Sequence, residues 1–560
     1  LSTGERALVG LGMVEHLLPD DHVRDTAERS AASLFPGAAG GRPVAFPEPS
    51  RELYRRRFAS FSGSSVVSTV GSGGFAAAVA GLPGSSAAFP PPSVPPSARP
   101  PGTSEWLEPD WSRVDNKGLD KAGCLGPPVP LPAGHRAIDS RMILVNKSDG
   151  RPKGRYVARG DQQVHGEHYN EATVFAPVLH QATFRVLMAI AVATGAHVHT
   201  VDINLAFLYG DMDMEFYIAP PAGVSWGVDD LGRPRVRRVL KALYGFRQSP
   251  ERFHSVAVRV CAAFGLQPTP SDPCAFTLER SGARLHVGMY VDDFLIVSVD
   301  LSLVKAFKAH LARYFEFKDP GPLTGREFLG VHFDYDRVLV WGHLSADRYA
   351  RGLLEKHGMA DSRPVETPRT TSRARDTRPA AQSEALRHVA VPEVVGGVNW
   401  LFITCRPDVT PAVSMLAAEA RAISTVSDAE SAKRLLRYLQ SGLTRRAGLG
   451  LRYLRSLFGS VADALTPVAY ADSDHARDSS RRSRTGYVIF LCGAPIYWRS
   501  ALQKTIALHS TSAEIVALSD AAKKVVWIVS LLRDLGHPVP AAVPVYEDNV
   551  PAIDTIHVRR

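Results

Sequence analysis

The stretch RLHVGMYVDDFLIVSV, residues 284–299, decides the fold of this chain. Apolar, strand-like runs flank Tyr290-Val291-Asp292-Asp293, so the pattern predicts a β-hairpin with two carboxylates at its turn. Two acidic side chains held this close repel each other unless a cation is bound between them. Taken alone, such a tetrapeptide is more often a solvated turn than a catalytic site. Its surroundings therefore have to decide between the two interpretations.

A third carboxylate, Asp202, is predicted at the end of an earlier strand. The pattern of QATFRVLMAIAVATG, residues 181–195, is typical of a buried helix, and HVHTVDI, residues 197–203, follows it as a strand. Strand-like and helix-like segments alternate from about 137 to 368, which indicates an α+β, palm-like layout. Phosphoryl transfer needs carboxylates that converge on two Mg²⁺ ions. We expect Asp202 and Asp292 to bridge both ions, with Asp293 in support.

A second set of carboxylates lies near the end of the chain. Asp472 falls in the predicted strand VAYAD, Glu514 begins a predicted helix, and Asp548 ends the predicted strand VPVYED. The order strand, strand, strand, helix, strand predicts a mixed sheet with a covering helix. Acidic groups contributed by strand, helix and strand form a second candidate site for two divalent ions.

Composition limits the classes of function that fit. The chain has 560 residues, 45% hydrophobic and 22% charged, which favours several soluble globular domains. Its formal charge of +9 favours polyanionic partners. The five cysteines form no CxxC pair and there is no long apolar run, so we expect a reducing, intracellular location, cytoplasmic or nuclear, and no membrane partner. Since it starts with Leu1, we expect a piece of a longer product.

The domain boundaries follow from shifts in composition. Pro, Ser, Gly and Ala dominate the segment that ends in FPPPSVPPSARPPG, which is typical of a disordered linker. A second Pro- and Arg-rich stretch at 367–382 predicts a hinge. We therefore predict an unassigned segment at 1–58, a disordered linker at 59–135, an α+β domain at 136–370, a hinge and helical connection at 371–465, and a C-terminal mixed-sheet domain at 466–560.

Ten collinear blocks resemble the reverse transcriptases of copia-type LTR retrotransposon polyproteins. Together they extend from about Met142 to Leu439. They include KSDGRPKGRYVARG, VHTVDINLAFLYGDMDMEFYIAPPAG, LKALYGFRQSPERF, MYVDDFLIV and CRPDVTPAVSML. The resemblance implies a fingers, palm and thumb fold that adds dNTPs to a primer 3′-hydroxyl on an RNA template. It also implies Mg²⁺ as the metal, with Mn²⁺ as an alternative, and an RNA template, a DNA primer and an RNA-DNA hybrid as partners.

The resemblance also assigns roles to individual positions. Phe207 falls where related enzymes place a ring that excludes a ribose 2′-hydroxyl, although a packed core Phe would look the same in the sequence. Phe328-Leu329-Gly330 matches a segment leading to the strands that grip the primer end. The resemblance implies that the residues contacting or shaping the nucleotide and template pocket are Lys153, Arg155, Arg159, Tyr244, Gly245, Arg247, Gln248 and Pro250. A solvated basic hairpin would explain the first three equally simply.

The C-terminal blocks AYADSDHARD, RRSRTGYVIFL and VYEDNVPAI resemble the ribonuclease H of the same elements, with Asp472, Glu514 and Asp548 as metal ligands. Three departures stand out. Ser512 replaces an acidic residue, Glu547 replaces a common Cys, and the expected fourth carboxylate beyond Asp548 has no match, so we expect a C-terminally truncated domain with uncertain ribonuclease H activity. Asp554 lies too close to Asp548 to serve. Basic residues that are candidates to line the path of the hybrid are Lys433, Arg434, Arg437, Arg477, Arg481, Arg482 and Arg484.

The alternative interpretation is a decayed retrotransposon copy that binds nucleic acid without catalysis. The incomplete termini favour it, while the intact Asp202, Asp292 and Asp293 oppose it. A capsid protein would need a zinc knuckle or a helical capsid repeat, and the sequence has neither. A protease would need a DSG or DTG strand, which is also absent from the sequence.

Overall fold

A computed structural model describes residues 123–146, 152–171, 174–370, 375–419, 423–444, 449–476 and 480–557, without the side chains at 144–146, 152, 153, 444 and 557. The segment predicted as unassigned, 1–58, and most of the predicted linker lie outside these residues.

The described residues form twenty strands and ten α-helices. The strands are β1 (Leu125–Val129), β2 (Ala137–Ile138), β3 (Ser140–Asn146), β4 (Pro152–Ala158), β5 (His197–Ile203), β6 (Tyr217–Ile218), β7 (Val236–Val239), β8 (Gln267–Thr269), β9 (Asp272–Arg280), β10 (Ala283–Tyr290), β11 (Asp293–Ser298), β12 (Phe317–Pro322), β13 (Arg326–Phe328), β14 (Val331–Asp336), β15 (Trp341–Ser345), β16 (Leu451–Leu454), β17 (Val468–Asp474), β18 (Arg484–Leu491), β19 (Ala494–Leu502) and β20 (Val545–Tyr546). The helices are α1 (Gln181–Thr194), α2 (Ser249–Phe264), α3 (Leu301–Leu311), α4 (Asp347–Lys356), α5 (Val391–Thr404), α6 (Thr410–Glu419), α7 (Val426–Thr444), α8 (Val461–Ala464), α9 (Ser510–Asp534) and α10 (Val550–His557).

A six-stranded sheet in the order β12-β5-β11-β10-β9-β8 forms the palm. Helix α1 is buried along nearly its whole length, as its apolar sequence predicts. It starts where His180 Nδ1 accepts a hydrogen bond from the amide of Ala182, and it ends at Gly195, whose φ is 63°. The predicted helix at 181–195, the strand around Asp202 and the hairpin at 284–299 are therefore confirmed.

The fingers region consists of the hairpin β3-β4 and a small sheet in the order β1-β7-β6-β2. A separate apolar cluster that includes Cys124, Ile138, Phe216 and Phe246 holds it together. The prediction that the linker extends to residue 135 is wrong, because β1 pairs with β7. The pairing has a register shift between Leu125 and Pro128, as expected of an edge strand that carries the two prolines Pro127 and Pro128.

The segment predicted as a helical connection contains helices α5, α6 and α7, but it also contributes a strand. β16 pairs with β15 and completes a sheet in the order β13-β14-β15-β16. The predicted hinge and helical connection, 371–465, therefore also holds a strand that the sequence analysis did not predict. In this short strand, Leu451 and Tyr453 are buried and alternate with partly exposed residues. Such an alternation over four residues is too short to distinguish a strand from a loop in the sequence.

The C-terminal region has the predicted mixed sheet. Its strand order is β19-β18-β17-β20, and β17 and β20 are parallel whereas the other pairs are antiparallel. Helix α9 packs across β17 and β18. Parallel pairing places the C-terminal ends of β17 and β20 at the same edge of the sheet.

One continuous apolar core extends from the palm through the connection to the C-terminal region. Arg185 of α1 joins all three parts, since its Nε donates to Thr404 O at 2.9 Å and its Nη1 to Ile496 O at 3.0 Å. Its guanidinium also lies 4.1 Å from the centre of the Trp498 ring. Within the residues described, no helix is long and apolar enough to cross a membrane.

Candidate active sites

The turn between β10 and β11 holds the first pair of acidic residues. Tyr290 and Asp293 face each other as the last strand pair, which leaves Val291 and Asp292 as the two turn residues. Val291 has a φ of 53°, a conformation that a β-branched residue rarely adopts but that tight hairpins require. The amide of Ile203 donates to Asp292 O at 2.9 Å and ties the turn to β5. The position of Asp292 is thus fixed by the backbone on both sides.

Asp202 lies directly opposite Asp293 across the β5–β11 pair. Directly paired residues on antiparallel strands have Cβ atoms about 5 Å apart, so the two carboxylates share one small region of the surface. With Asp292 at the adjacent turn, the structure brings together all three aspartates that the sequence predicts for this site.

Negatively charged groups are crowded together at the palm site. Burial, together with the charges of Asp292 and Asp202, raises the pKa of Asp293 to about 7, although Lys318 opposes this shift. Lys318 of β12 lies opposite Asp202 and donates from Nζ to its Oδ2 at 2.7 Å. Carboxylates that repel one another in this way are the donor set that a hard divalent cation prefers.

Two aromatic rings lie beside these carboxylates. Phe207 is half-buried, and its ring centre is 4.8 Å from that of Tyr244. Burial raises the pKa of Tyr244, the charges of Asp292 and Asp202 add to this shift, and Arg155 counteracts it. The structure therefore brings Tyr244 near both Arg155 and the aspartates.

Gly245 allows the fingers strand β4 to approach the palm. Its φ is 99°, and a Cβ atom there would lie 2.1 Å from the carbonyl oxygen of Ala158. The amide of Ala158 donates to Tyr244 O at 2.8 Å in the same contact. Only glycine combines this backbone conformation with so close an approach.

The remaining predicted pocket residues are placed differently. Gln248 is completely buried, with its Oε1 accepting from Gln163 Nε2 at 2.9 Å and its Nε2 donating to His168 O at 2.8 Å. It supports the pocket from behind, so the prediction of direct nucleotide contact needs correction. Arg159 is held at the surface by Asp161 at 2.7 Å. The side chain of Lys153 lies outside the described part of the chain.

The second set of acidic residues also converges. One carboxylate oxygen from each of Asp472, Glu514 and Asp548 lies within 4.8 Å of the others. Asp472 is on β17 and Asp548 follows β20, while Glu514 lies near the start of α9. The parallel pairing of β17 and β20 thus brings together residues that are 76 positions apart in the sequence.

Two glutamates at this second site are buried. Burial, together with the charges of Glu547 and Asp472, raises the pKa of Glu514 to about 9. Burial also raises the pKa of Glu547 to about 8. The Oε2 atoms of both residues are buried and accept no hydrogen bond. Anionic groups in this state require a compensating cation or a bound proton.

Arg484, predicted to line the path of a hybrid, is instead 2% exposed and bonds to Ser414 Oγ at 3.0 Å and to Ser500 Oγ at 3.2 Å. This prediction is wrong, because Arg484 packs between α6, which holds Ser414, and β19, which holds Ser500. Arg477 lies outside the described residues. The sequence analysis also missed Lys318, whose contact with Asp202 depends on how β12 pairs with β5.

Comparisons with known proteins agree with this geometry. The family model described as reverse transcriptase (RNA-dependent DNA polymerase) matches residues 128–371. The chain is 30% identical over 439 residues to the retrovirus-related Pol polyprotein from transposon TNT 1-94 of Nicotiana tabacum, and the match covers 76% of the chain and 31% of that relative. It is 32% identical over 436 residues to the Pol polyprotein from transposon RE1 of Arabidopsis thaliana, covering 76% of the chain and 28% of that relative.

A foamy viral protease-reverse transcriptase, solved in complex with double-stranded DNA, aligns with a TM-score of 0.40 at 13% identity, covering 78% of the chain and 62% of that structure. The chain spans about a third of the length of the curated relatives above. The family match falls on the residues that hold the palm aspartates. Residues 128–371 therefore match the reverse transcriptase family, and the chain is similar over most of its length to the Pol polyproteins of plant copia-type transposons.

Proposed function

We propose that this chain is an RNA-directed DNA polymerase that adds dNTPs to a primer 3′-hydroxyl by two-metal catalysis. The observation that carries the proposal is the direct pairing of Asp202 with Asp293 beside the turn that holds Asp292. In an ordinary solvated hairpin, nothing would offset the cost of holding one half-buried aspartate directly opposite another.

The residues fit a pair of Mg²⁺ ions, with Mn²⁺ as an alternative. The raised pKa of Asp293 shows that its carboxylate lacks sufficient compensation from protein groups alone. Asp202, Asp292 and Asp293 would hold the ions. Bound there, they would lower the pKa of the primer hydroxyl and neutralise charge on the triphosphate.

The surrounding residues would orient the substrates. Arg155 is exposed on β4, where its cationic donors suit phosphate oxygens of a dNTP or of the template. Lys153, on the same strand, is proposed for the same role. Phe207, packed on Tyr244, would present its edge to the sugar of the incoming nucleotide and exclude a 2′-hydroxyl. Gly245 would keep the fingers strand close to this pocket.

We propose a second activity for the C-terminal domain, a ribonuclease H-like cleavage of RNA in an RNA-DNA hybrid. The convergence of Asp472, Glu514 and Asp548 within 4.8 Å supports this proposal. The strand order β19-β18-β17-β20 with one parallel pair supports it as well. Divalent ions held there would activate water against the RNA strand.

The experiment for the polymerase is primer extension on a poly(rA)/oligo(dT) hybrid with dTTP, in Mg²⁺ and in EDTA. Extension that requires both the template and the metal is expected. A folded chain that binds the hybrid but extends nothing in Mg²⁺ or Mn²⁺ would favour the alternative, a decayed copy that binds nucleic acid without catalysis. The C-terminal activity is measured separately, by the release of labelled RNA fragments from a preformed hybrid.

A further inference from the structure

The C-terminal site contains a fourth carboxylate, Glu547, that its expected ligand set does not include. Glu547 directly follows β20 and precedes Asp548, and its side chain is 9% exposed. Its Oε1 accepts hydrogen bonds from the amides of Asp548 and Asn549, each at 3.1 Å. Its Oε2 is buried and has no hydrogen-bond donor. The Oε1 atom of this carboxylate is thus held by backbone amides, and its Oε2 atom has no protein partner.

A second unpartnered oxygen lies at the same site. Glu514 is 6% exposed, and its Oε2 is also buried without a hydrogen bond. Among the charged neighbours that raise the pKa of Glu514, Glu547 has the largest effect, ahead of Asp472. The charges of Asp548 and Asp472 in turn raise the pKa of Glu547. Glu547 therefore lies next to Asp472, Glu514 and Asp548, the three residues whose carboxylate oxygens converge within 4.8 Å.

Burying an unpaired carboxylate costs several kcal/mol, on the order of the stabilisation of a whole small domain. Such groups are retained where a cation compensates them. Four ionised carboxylates match the charge of two divalent cations, whereas three leave one positive charge uncompensated.

We propose that Glu547 is a further metal ligand of the C-terminal site, supplying the fourth carboxylate to divalent cations held by Asp472, Glu514 and Asp548. The inference rests on the proposed ribonuclease H-like function of this site and adds one ligand to it. Its oxygen donor makes the site suited to hard ions such as Mg²⁺ and Mn²⁺.

The test measures Mn²⁺ binding by electron paramagnetic resonance on the full chain carrying Asp292→Asn, which weakens the palm site. Glu547→Gln keeps an acceptor for the two backbone amides but removes the charge. We expect at least a tenfold loss of Mn²⁺ affinity or the loss of one bound ion. The matched control is Asp554→Asn, an exposed acidic residue seven positions later, which should leave binding unchanged.

Thermal melting in EDTA separates a ligand from a structural residue. Glu547→Gln should melt no lower than the parent chain, because it removes a repelling charge. Unchanged Mn²⁺ affinity in Glu547→Gln, together with lost affinity in Asp472→Asn, would overturn the assignment of Glu547 and leave the site itself intact. Unchanged affinity in both variants would overturn the C-terminal metal site as a whole, and with it the proposed ribonuclease H-like function.

A second variant tests ligation independently. Glu547→Cys places a soft thiolate where a hard oxygen stood, and thiolates prefer soft cations. If Glu547 contacts the metal, this variant should lose Mn²⁺ affinity and bind Cd²⁺ more tightly than the parent chain does. A Cd²⁺ affinity equal to that of the parent chain would contradict direct ligation.

Discussion

Lys318 donates from Nζ to Oδ2 of Asp202 at 2.7 Å, so a lysine of the neighbouring strand neutralises one of the three palm carboxylates. The two residues are direct partners across the β12–β5 pair. A protonated amine at this position competes with divalent cations for the same oxygen. It also lowers the cost of the crowded aspartates when no metal is bound.

Replacing Lys318 with Met should therefore tighten divalent metal binding at the palm. The pair is solvent-exposed, with 64% of the lysine and 42% of the aspartate side chain accessible, so the effect should be modest, roughly two- to fivefold. The measurement is Mn²⁺ titration of a chain that carries Asp472→Asn to weaken the C-terminal site. Lys305→Met removes the same charge from an exposed position on α3 and should change nothing. Weaker Mn²⁺ binding in Lys318→Met would contradict this account.

Stability without metal should fall as the pH rises through neutrality. The folded-state pKa of Asp293 is about 7, above the ordinary value of 3.8, so the folded chain holds this proton over a range in which the unfolded chain has lost it. The contribution is fully present below about pH 4 and is lost as the pH rises through about 7. Melting temperatures in EDTA from pH 5 to 8 test this.

Asp293→Asn removes this titration, so its melting temperature should decline less steeply over the same range. Each pKa unit corresponds to about 1.4 kcal/mol. Glu514 and Glu547 also have raised pKa values, so part of the decline should persist in the variant and extend toward pH 8 to 9. Identical slopes for Asp293→Asn and the parent chain would show that Asp293 is ionised at all of these pH values.

Phe207→Ala should weaken the discrimination against ribonucleotides. The ring packs on Tyr244 beside the aspartates, so its removal opens space where a 2′-hydroxyl would lie. We expect the preference for dTTP over UTP to fall by roughly tenfold or more. Phe264→Ala also removes a half-buried ring, one that packs on Phe307, and should leave the preference unchanged. An unaltered preference in Phe207→Ala would make Phe207 a packing residue only.

Gly245→Ala should displace the fingers strand. The new methyl group would meet the carbonyl oxygen of Ala158 at 2.1 Å, and φ of 99° is itself unfavourable for alanine. We expect a loss of stability of about 2 kcal/mol or more and a raised KM for dNTPs. Gly232→Ala is the control, since Gly232 has a φ of 72° and nothing within 4 Å of the added atom. Equal effects of both substitutions would mean that backbone conformation alone matters, and not the approach of β4.

The sequence was sufficient for the hairpin at Asp292 and for the strand of Asp202, because long alternating or apolar runs determine such elements locally. It was not sufficient for Lys318, whose contact depends on the register between β12 and β5, and that register shifts between Lys318 and Gly321. Register is set by tertiary packing, which a local pattern does not encode.

Burial was the second property that could not be predicted from the sequence. Gln248 and Arg484 looked like surface contacts, yet both are almost fully enclosed and hydrogen-bonded. Glu547 was expected only as a replacement for a common Cys that adds charge beside the metals, and the sequence did not show that it is buried. Whether a polar residue packs inside the protein depends on hydrogen-bond partners that are far away in the chain, such as His168 for Gln248. The environment of such a residue could therefore not be predicted from its sequence neighbours.

The most direct test of the account is primer extension on poly(rA)/oligo(dT) with Mg²⁺ and dTTP by Asp292→Asn, a substitution that removes metal-binding charge and almost no volume. The control is Asp230→Asn, which changes an exposed loop aspartate in the same domain. We predict that Asp292→Asn lowers the extension rate on the order of a hundredfold or more while its melting temperature stays near that of the parent chain, and that Asp230→Asn extends normally. Extension by Asp292→Asn at the rate of the parent chain would contradict the assignment of the palm carboxylates as the catalytic centre.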